Sequence, residues 1–178
     1  MPRNPFQRLS GIPSAVVGRA GLGSGEKVLA SAVATDGTWL LGSRVALYVV
    51  PPEPGDTRRI PWEQVERADW QQDTERLVVA EVGRFGEVRP EHRFTIEQPG
   101  SLLPFVRERV TASVVLQRRV TVEGKKGLFV IARRPPDGAG EVTWAYEFDA
   151  GVDPSDPAVA ELAEKGLQAA AEELGQSI

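Results

Sequence analysis

The side chains able to do chemistry are few and unevenly placed. His92 is the only histidine, and there is no cysteine. An imidazole titrates near neutrality, so His92 could act as an acid or a base. It follows Glu91 at the start of an alternating segment, a position that equally suits a surface residue or one at the mouth of a barrel. The lack of cysteine excludes disulfides, thiolate zinc sites and Cys nucleophiles, and a single histidine excludes multi-histidine metal centres. The glycine-rich run Gly21–Lys27 does not make a phosphate loop. Glu26 separates Gly25 from Lys27, and a strand pattern follows where a helix would be needed. Asp149, Asp153 and Asp156 lack the odd-position spacing of a calcium loop. Asp153 and Asp156 each precede a proline, as helix caps do. No catalytic, cofactor-binding or metal-ligating set is predicted.

Two groups remain as binding candidates. The first is basic. Residues 107–134 carry Arg107, Arg109, Arg118, Arg119, Lys125, Lys126, Arg133 and Arg134 against Glu108 and Glu123, a net of +6. Residues 135–178 carry ten acids against Lys165, a net of −9. If 118–122 and 127–133 pair as a hairpin, one residue of Arg118-Arg119 and one of Arg133-Arg134 could share a solvent face near Lys125-Lys126. That would be a ribbon able to contact phosphates. Without interleaved aromatics it is no stacking platform for bases. The competing expectation is that the acidic helix and the basic surface neutralise each other, within one copy or between two. The second group is aromatic. Trp39, Trp62, Trp70 and Trp144 are large residues in a chain with 7% aromatics. Core or barrel-end plugging is their default role, whereas exposure of Trp62 or Trp70 would mark a partner groove.

The elements that must position these residues follow from periodicity. Residues 1–25 are rich in Gly, Pro and Ser and read as a flexible segment with room for a short helix at 5–17. Strands are expected over 28–34, 38–42, 44–50, 76–82 and 92–96, the first two joined by the Asp36-Gly37 turn. Residues 58–70 read as extended and bent, with Pro61 suited to an edge or a bulge. Leu103, Val106, Val110 and Ser113 fall on one face of a helix starting at Ser101. A hairpin about residues 123–126 and a strand through Trp144, Tyr146 and Phe148 come next. A last helix over 157–174 has the apolar stripe Val159, Ala163, Gly166, Ala170 and Leu174.

Composition is that of an ordinary globular protein, 41% hydrophobic and 26% charged. The longest unbroken apolar run, 45–50, is far short of the roughly 20 residues a membrane helix needs. The expectation is a soluble cytoplasmic protein with no cofactor and no membrane span.

The order of short antiparallel strands, the bend Ile60-Pro61-Trp62-Glu63-Gln64-Val65, further strands and an amphipathic helix resembles the bacterial pleckstrin-homology-like domain over about residues 26–116. The resemblance implies an α+β fold: a bent antiparallel barrel plugged at one end by the helix 101–116. The chain departs from that pattern afterward, and residues 117–178 are expected as a three-strand and helix extension packed on the core. The whole chain is also similar to a family of conserved bacterial proteins, a likeness that implies no particular activity. The pleckstrin-homology-like fold serves as a platform for lipids, peptides and protein partners. The expected function is therefore a non-catalytic binding or adaptor module for an unknown protein partner or a second copy. The alternatives are a basic-face binder of nucleic acid or another polyanion, and an enzyme using His92 or a carboxylate at a barrel mouth. The candidate binding residues are Arg107, Arg118, Arg119, Lys125, Lys126, Arg133, Arg134, Trp62 and Trp70.

Overall fold

The computed structural model describes residues 11–83 and 89–176, and the fold is α+β. Helix α1 (Ser14–Ala20) is followed by strands β1 (Ala30–Val33), β2 (Trp39–Gly42), β3 (Ala46–Val50) and β4 (Arg58–Pro61). These form an antiparallel sheet in sequential order. A single 3-10 turn over Trp62–Gln64 makes a corner into β5 (Val65–Gln71), which pairs with β6 (Arg76–Glu81) and then β7 (Glu91–Thr95) as a second antiparallel sheet. Helix α2 (Leu102–Ser113) follows. Strands β8 (Val114–Glu123), β9 (Lys126–Arg133) and β10 (Thr143–Phe148) make a third sheet with β9 in the centre, and α3 (Pro157–Glu173) ends the described chain.

The first two sheets share one core. Leu40, Leu47 and Ile60 from the first meet Val65, Leu77, Val79 and Phe94 from the second, with Leu102 and Val106 of α2 packed in. The expected barrel is not a closed ring of strands: the described strands form separate ladders. Pro61 ends β4 without an N–H to donate, and the 3-10 turn breaks the ladder there. Among the described residues a backbone bond, Thr35 N–H to Thr95 C=O at 2.9 Å, joins the turn after β1 to the end of β7.

Trp62 fixes the corner. It is fully buried, and its indole N–H donates to the Ser43 carbonyl at 2.9 Å. Its ring meets Phe105 of α2 edge-on at 6.0 Å, and Phe105 lies so close over Gly42 that a Cβ there would be 2.8 Å away. Of its two expected roles Trp62 takes the core one and, though a candidate binding residue, is not exposed to a partner groove, because the bend folds it inward under α2.

The described part of the lead-in to the core includes a helix. Residues 1–10 lie outside the described residues, but α1 sets Val16 and Ala20 against Leu41, Tyr48 and Val50 on the outer face of the first sheet. Glu26 then ties the chain to that sheet by accepting from the Ser43 hydroxyl and from the Tyr48 hydroxyl at 2.8 Å.

Helix α3 lies across the third sheet. Val159, Ala163 and Ala170 pack on Leu128 and Val130. Asp156 caps it as expected, accepting from Ala158 N–H at 2.8 Å. Ser101 makes no side-chain cap on α2, since its own backbone is already helical. Gly166 sets the approach of α3: a Cβ there would lie 2.5 Å from Val120 Cγ2. Replacing an interior helical Gly with Ala ordinarily adds up to about 1 kcal/mol. At this position Gly166→Ala is expected to lower stability by about 1–3 kcal/mol through overpacking. Thermal denaturation checks it, and a higher Tm for the variant would contradict the packing.

Candidate functional site

A groove of about 1000 Å³ runs between β5 and one face of α2. Its strand side is Ala68, Asp69 and Trp70, with Leu77 of β6 behind them. Among the described strands β5 has a partner on one side only, so no strand pairs with its outer edge. The helix side is Pro104, Arg107, Glu108 and Thr111, which recur at intervals of three and four and so share a face. Leu103 and Val106 lie deeper. Trp70 is half-buried, its indole N–H donating to the Gln72 side chain at 3.0 Å.

A buried arginine sets one end of this groove. Arg133, at the end of β9, is 4% exposed. Its guanidinium donates to the Ser113 hydroxyl at 3.0 Å, to the Val110 carbonyl at 3.4 Å and to the Glu66 carbonyl at 2.7 Å. Ser113 and Val110 belong to the last turn of α2. Glu66 is the residue at which the β5–β6 register shifts, so its carbonyl is turned out of the ladder. One side chain of the third sheet thus grips both walls of the groove. Gln64 and Thr143 add a side-chain bond of 3.2 Å beside it. Burial lowers the tendency of Arg133 to hold its proton, and the charges of Glu66 and Glu147 oppose that.

The Glu66 carboxylate is buried next to this contact and paired with Arg89, whose guanidinium also donates to the Tyr146 carbonyl at 2.6 Å. Burial pushes the Glu66 carboxyl above the usual range. The positive charges of Arg89, Arg133 and Arg67 pull it down, and Glu147 raises it further.

The basic candidates do not form one exposed ribbon. Arg118 faces α3 and pairs with Glu173 at 3.2 Å. Arg119 faces the other way, pairs with Asp149 at 2.5 Å and lies over the Phe129 ring at 4.7 Å. The paired hydrogen bonds hold the Asp149 carboxyl below its usual range and raise Arg119. Arg133 is internal, because β9 is the central strand and is covered on both faces. The unbroken run Leu128–Ala132 before it carries that signal in the sequence. Arg134 is half-buried next to α2, its backbone N–H bonded to the Ser113 carbonyl at 2.8 Å. Lys125 and Lys126 are exposed at the hairpin tip.

Arg107 and Trp70, by contrast, line the same groove from its two walls. Nothing local in the sequence marks Glu66, since its role depends on the bulge. His92 Nε2 lies 2.5 Å from Glu81 Oε1, which also accepts from Arg58 at 2.6 Å, so the imidazole completes a link between the second sheet and β4. Among the described residues no group of three or more His, Asp or Glu is placed to hold a metal ion. None of their helices is long and apolar enough to cross a membrane. No protein-family model matches the chain, and neither a curated protein nor a solved structure does.

Folding raises the proton affinity of Glu66, so its contribution to stability is complete below the ordinary value of 4.5 and declines as pH rises through the folded-state value. Glu66→Gln removes that titration. The stability of the native chain relative to Glu66→Gln is expected to increase between pH 7 and pH 5, by at most about 1.4 kcal/mol per pH unit for one proton. Urea melts at the two pH values measure it. A difference that stays flat or shrinks on acidification would contradict it.

Proposed function

We propose that this chain is a non-catalytic binding module with a pleckstrin-homology-like core, which recognises an extended segment of a protein partner in the groove between β5 and α2. The observation that carries the reading is a strand edge, unpaired among the described strands, facing a helix wall over an aromatic floor. An extended segment can add to such an edge through its main chain, while its alternate side chains enter the groove. Trp70 offers a large, rigid surface of the kind that dominates binding energy at interfaces. The order of a four-stranded sheet, a three-stranded sheet and a helix supports the pleckstrin-homology-like reading, as does the inward Trp62 at the bend.

The other functions anticipated from the sequence draw less support. For a polyanion-binding face, Arg118 and Arg119 are already paired with acids and Arg133 is internal, leaving Lys125 and Lys126 at the tip, apart from the half-buried Arg134 and from Arg107 in the groove. For an enzyme at a barrel mouth, His92 contacts a carboxylate that is itself engaged by Arg58.

A phage library of random nine-residue peptides, panned against the full chain, tests the reading. Enriched peptides are expected to shift the amide resonances of residues 68–70 and 103–112. Trp70→Ala is expected to weaken them at least about thirtyfold, the loss of a hot-spot residue. Enriched peptides that bind Trp70→Ala equally well, or shift only the hairpin tip, would overturn it.

A further inference from the structure

We infer that the groove selects segments bearing a large apolar side chain and a side-chain carboxylate two residues away, with Arg107 receiving the carboxylate. The inference rests on the groove reading above and adds the chemistry of the occupant. The floor and inner walls are Trp70, Leu77, Leu103 and Val106, which suit an apolar side chain. Three charged residues line the rim: Asp69, Arg107 and Glu108. The two acids are already engaged, Asp69 by Arg67 at 2.8 Å and Glu108 by Arg109. Arg107 is exposed and has neither a hydrogen-bond nor an ion-pair partner among the described residues. The uncommitted charge of the groove is therefore one guanidinium. Its planar fork matches a carboxylate with two parallel hydrogen bonds.

Spacing follows from extended geometry. Residues i and i+2 of a strand point to the same face, so an acid that reaches the same groove as the apolar residue stands two positions from it. The carboxylate belongs to a side chain rather than to a chain terminus. Clear of the Arg133 contact at Glu66, the strand edge continues to both sides of Ala68–Trp70, over Arg67–Gln71, so a segment paired with it runs through the groove.

The test uses a library fused through its C-terminus, so that the displayed peptides carry no free terminal carboxylate. It is panned in parallel against the native chain, Arg107→Glu, Arg107→Gln and Trp70→Ala. Arg107 is exposed and unpaired, so its variants are expected to keep the native melting temperature. On the native chain Asp and Glu should be enriched severalfold two residues from Leu, Ile, Phe or Trp. Arg107→Glu should lose that enrichment and gain Lys and Arg at the same position. The selected acidic peptides should bind Arg107→Gln about tenfold more weakly, as expected for one charge-assisted contact of about 1.4 kcal/mol. Identical residue frequencies on the native chain and Arg107→Glu, with enrichment lost on Trp70→Ala, would overturn the inference and leave the groove reading standing. Failure to enrich any peptide that depends on Trp70 would overturn both.

Discussion

The seating of the third sheet against β5 and α2 centres on one buried cation. A guanidinium withdrawn from water is costly unless its hydrogen bonds are met. Arg133 is supplied by β9, yet its acceptors come from elsewhere: a hydroxyl and a carbonyl in the last turn of α2, and the carbonyl of the bulged Glu66 on β5. Strand, helix and third sheet thereby meet at one side chain, with the Gln64–Thr143 bond, the Arg89 bridge from Glu66 to the Tyr146 carbonyl and the Arg134 N–H to Ser113 carbonyl bond beside it. The C-terminal strands and helix are not an appendage that could swing away, because moving them would leave the cation without acceptors. The same contact sets the spacing of the groove, since α2 and β5 are its two walls.

The sharp division of charge along the chain resolves into two different physical roles. Helix α3 is seated mainly by apolar packing, with Gly166 allowing close approach to Val120 and Val130. Its acidic face is then partnered only in places, as in Arg118–Glu173 at 3.2 Å. Exposed pairs of this kind contribute about 0–1 kcal/mol, so they orient the helix more than they hold it. The Arg119–Asp149 pair sits on the opposite face of the sheet, where Asp149 also accepts from the Gly127 N–H at 2.8 Å. Mutual neutralisation within one copy accounts for Arg118 and Arg119. It does not extend to Arg107, which stands in the groove without a partner among the described residues.

Much of the fold is legible in the linear pattern because it is set locally. Alternation around His92 and Phe94 marks β7, the Asp36-Gly37 turn joins β1 to β2, and Asp156-Pro157 starts α3. The stripe from Val159 to Ala170 faces the third sheet as its spacing requires. What the pattern hides is created by folding itself. Trp62 is internal because the chain bends at Pro61, and a bend does not say which side is inward. Arg133 is internal because β9 lies centrally, although the apolar run before it is consistent with a strand covered on both faces. The groove could not be read at all. Trp70 and Arg107 stand out separately, one as an aromatic and the other as part of a basic stretch, and only the packing of α2 along β5 brings them together.

Amide hydrogen exchange on Arg133→Met tests the role of the buried cation most directly, since methionine keeps much of the side-chain length and removes every donor. If Arg133 joins the three elements, protection should fall together in β9, in the last turn of α2 and at residues 65–70 of β5. A loss of protection confined to β9, with α2 and β5 exchanging as in the native chain, would show that the groove walls are held without it.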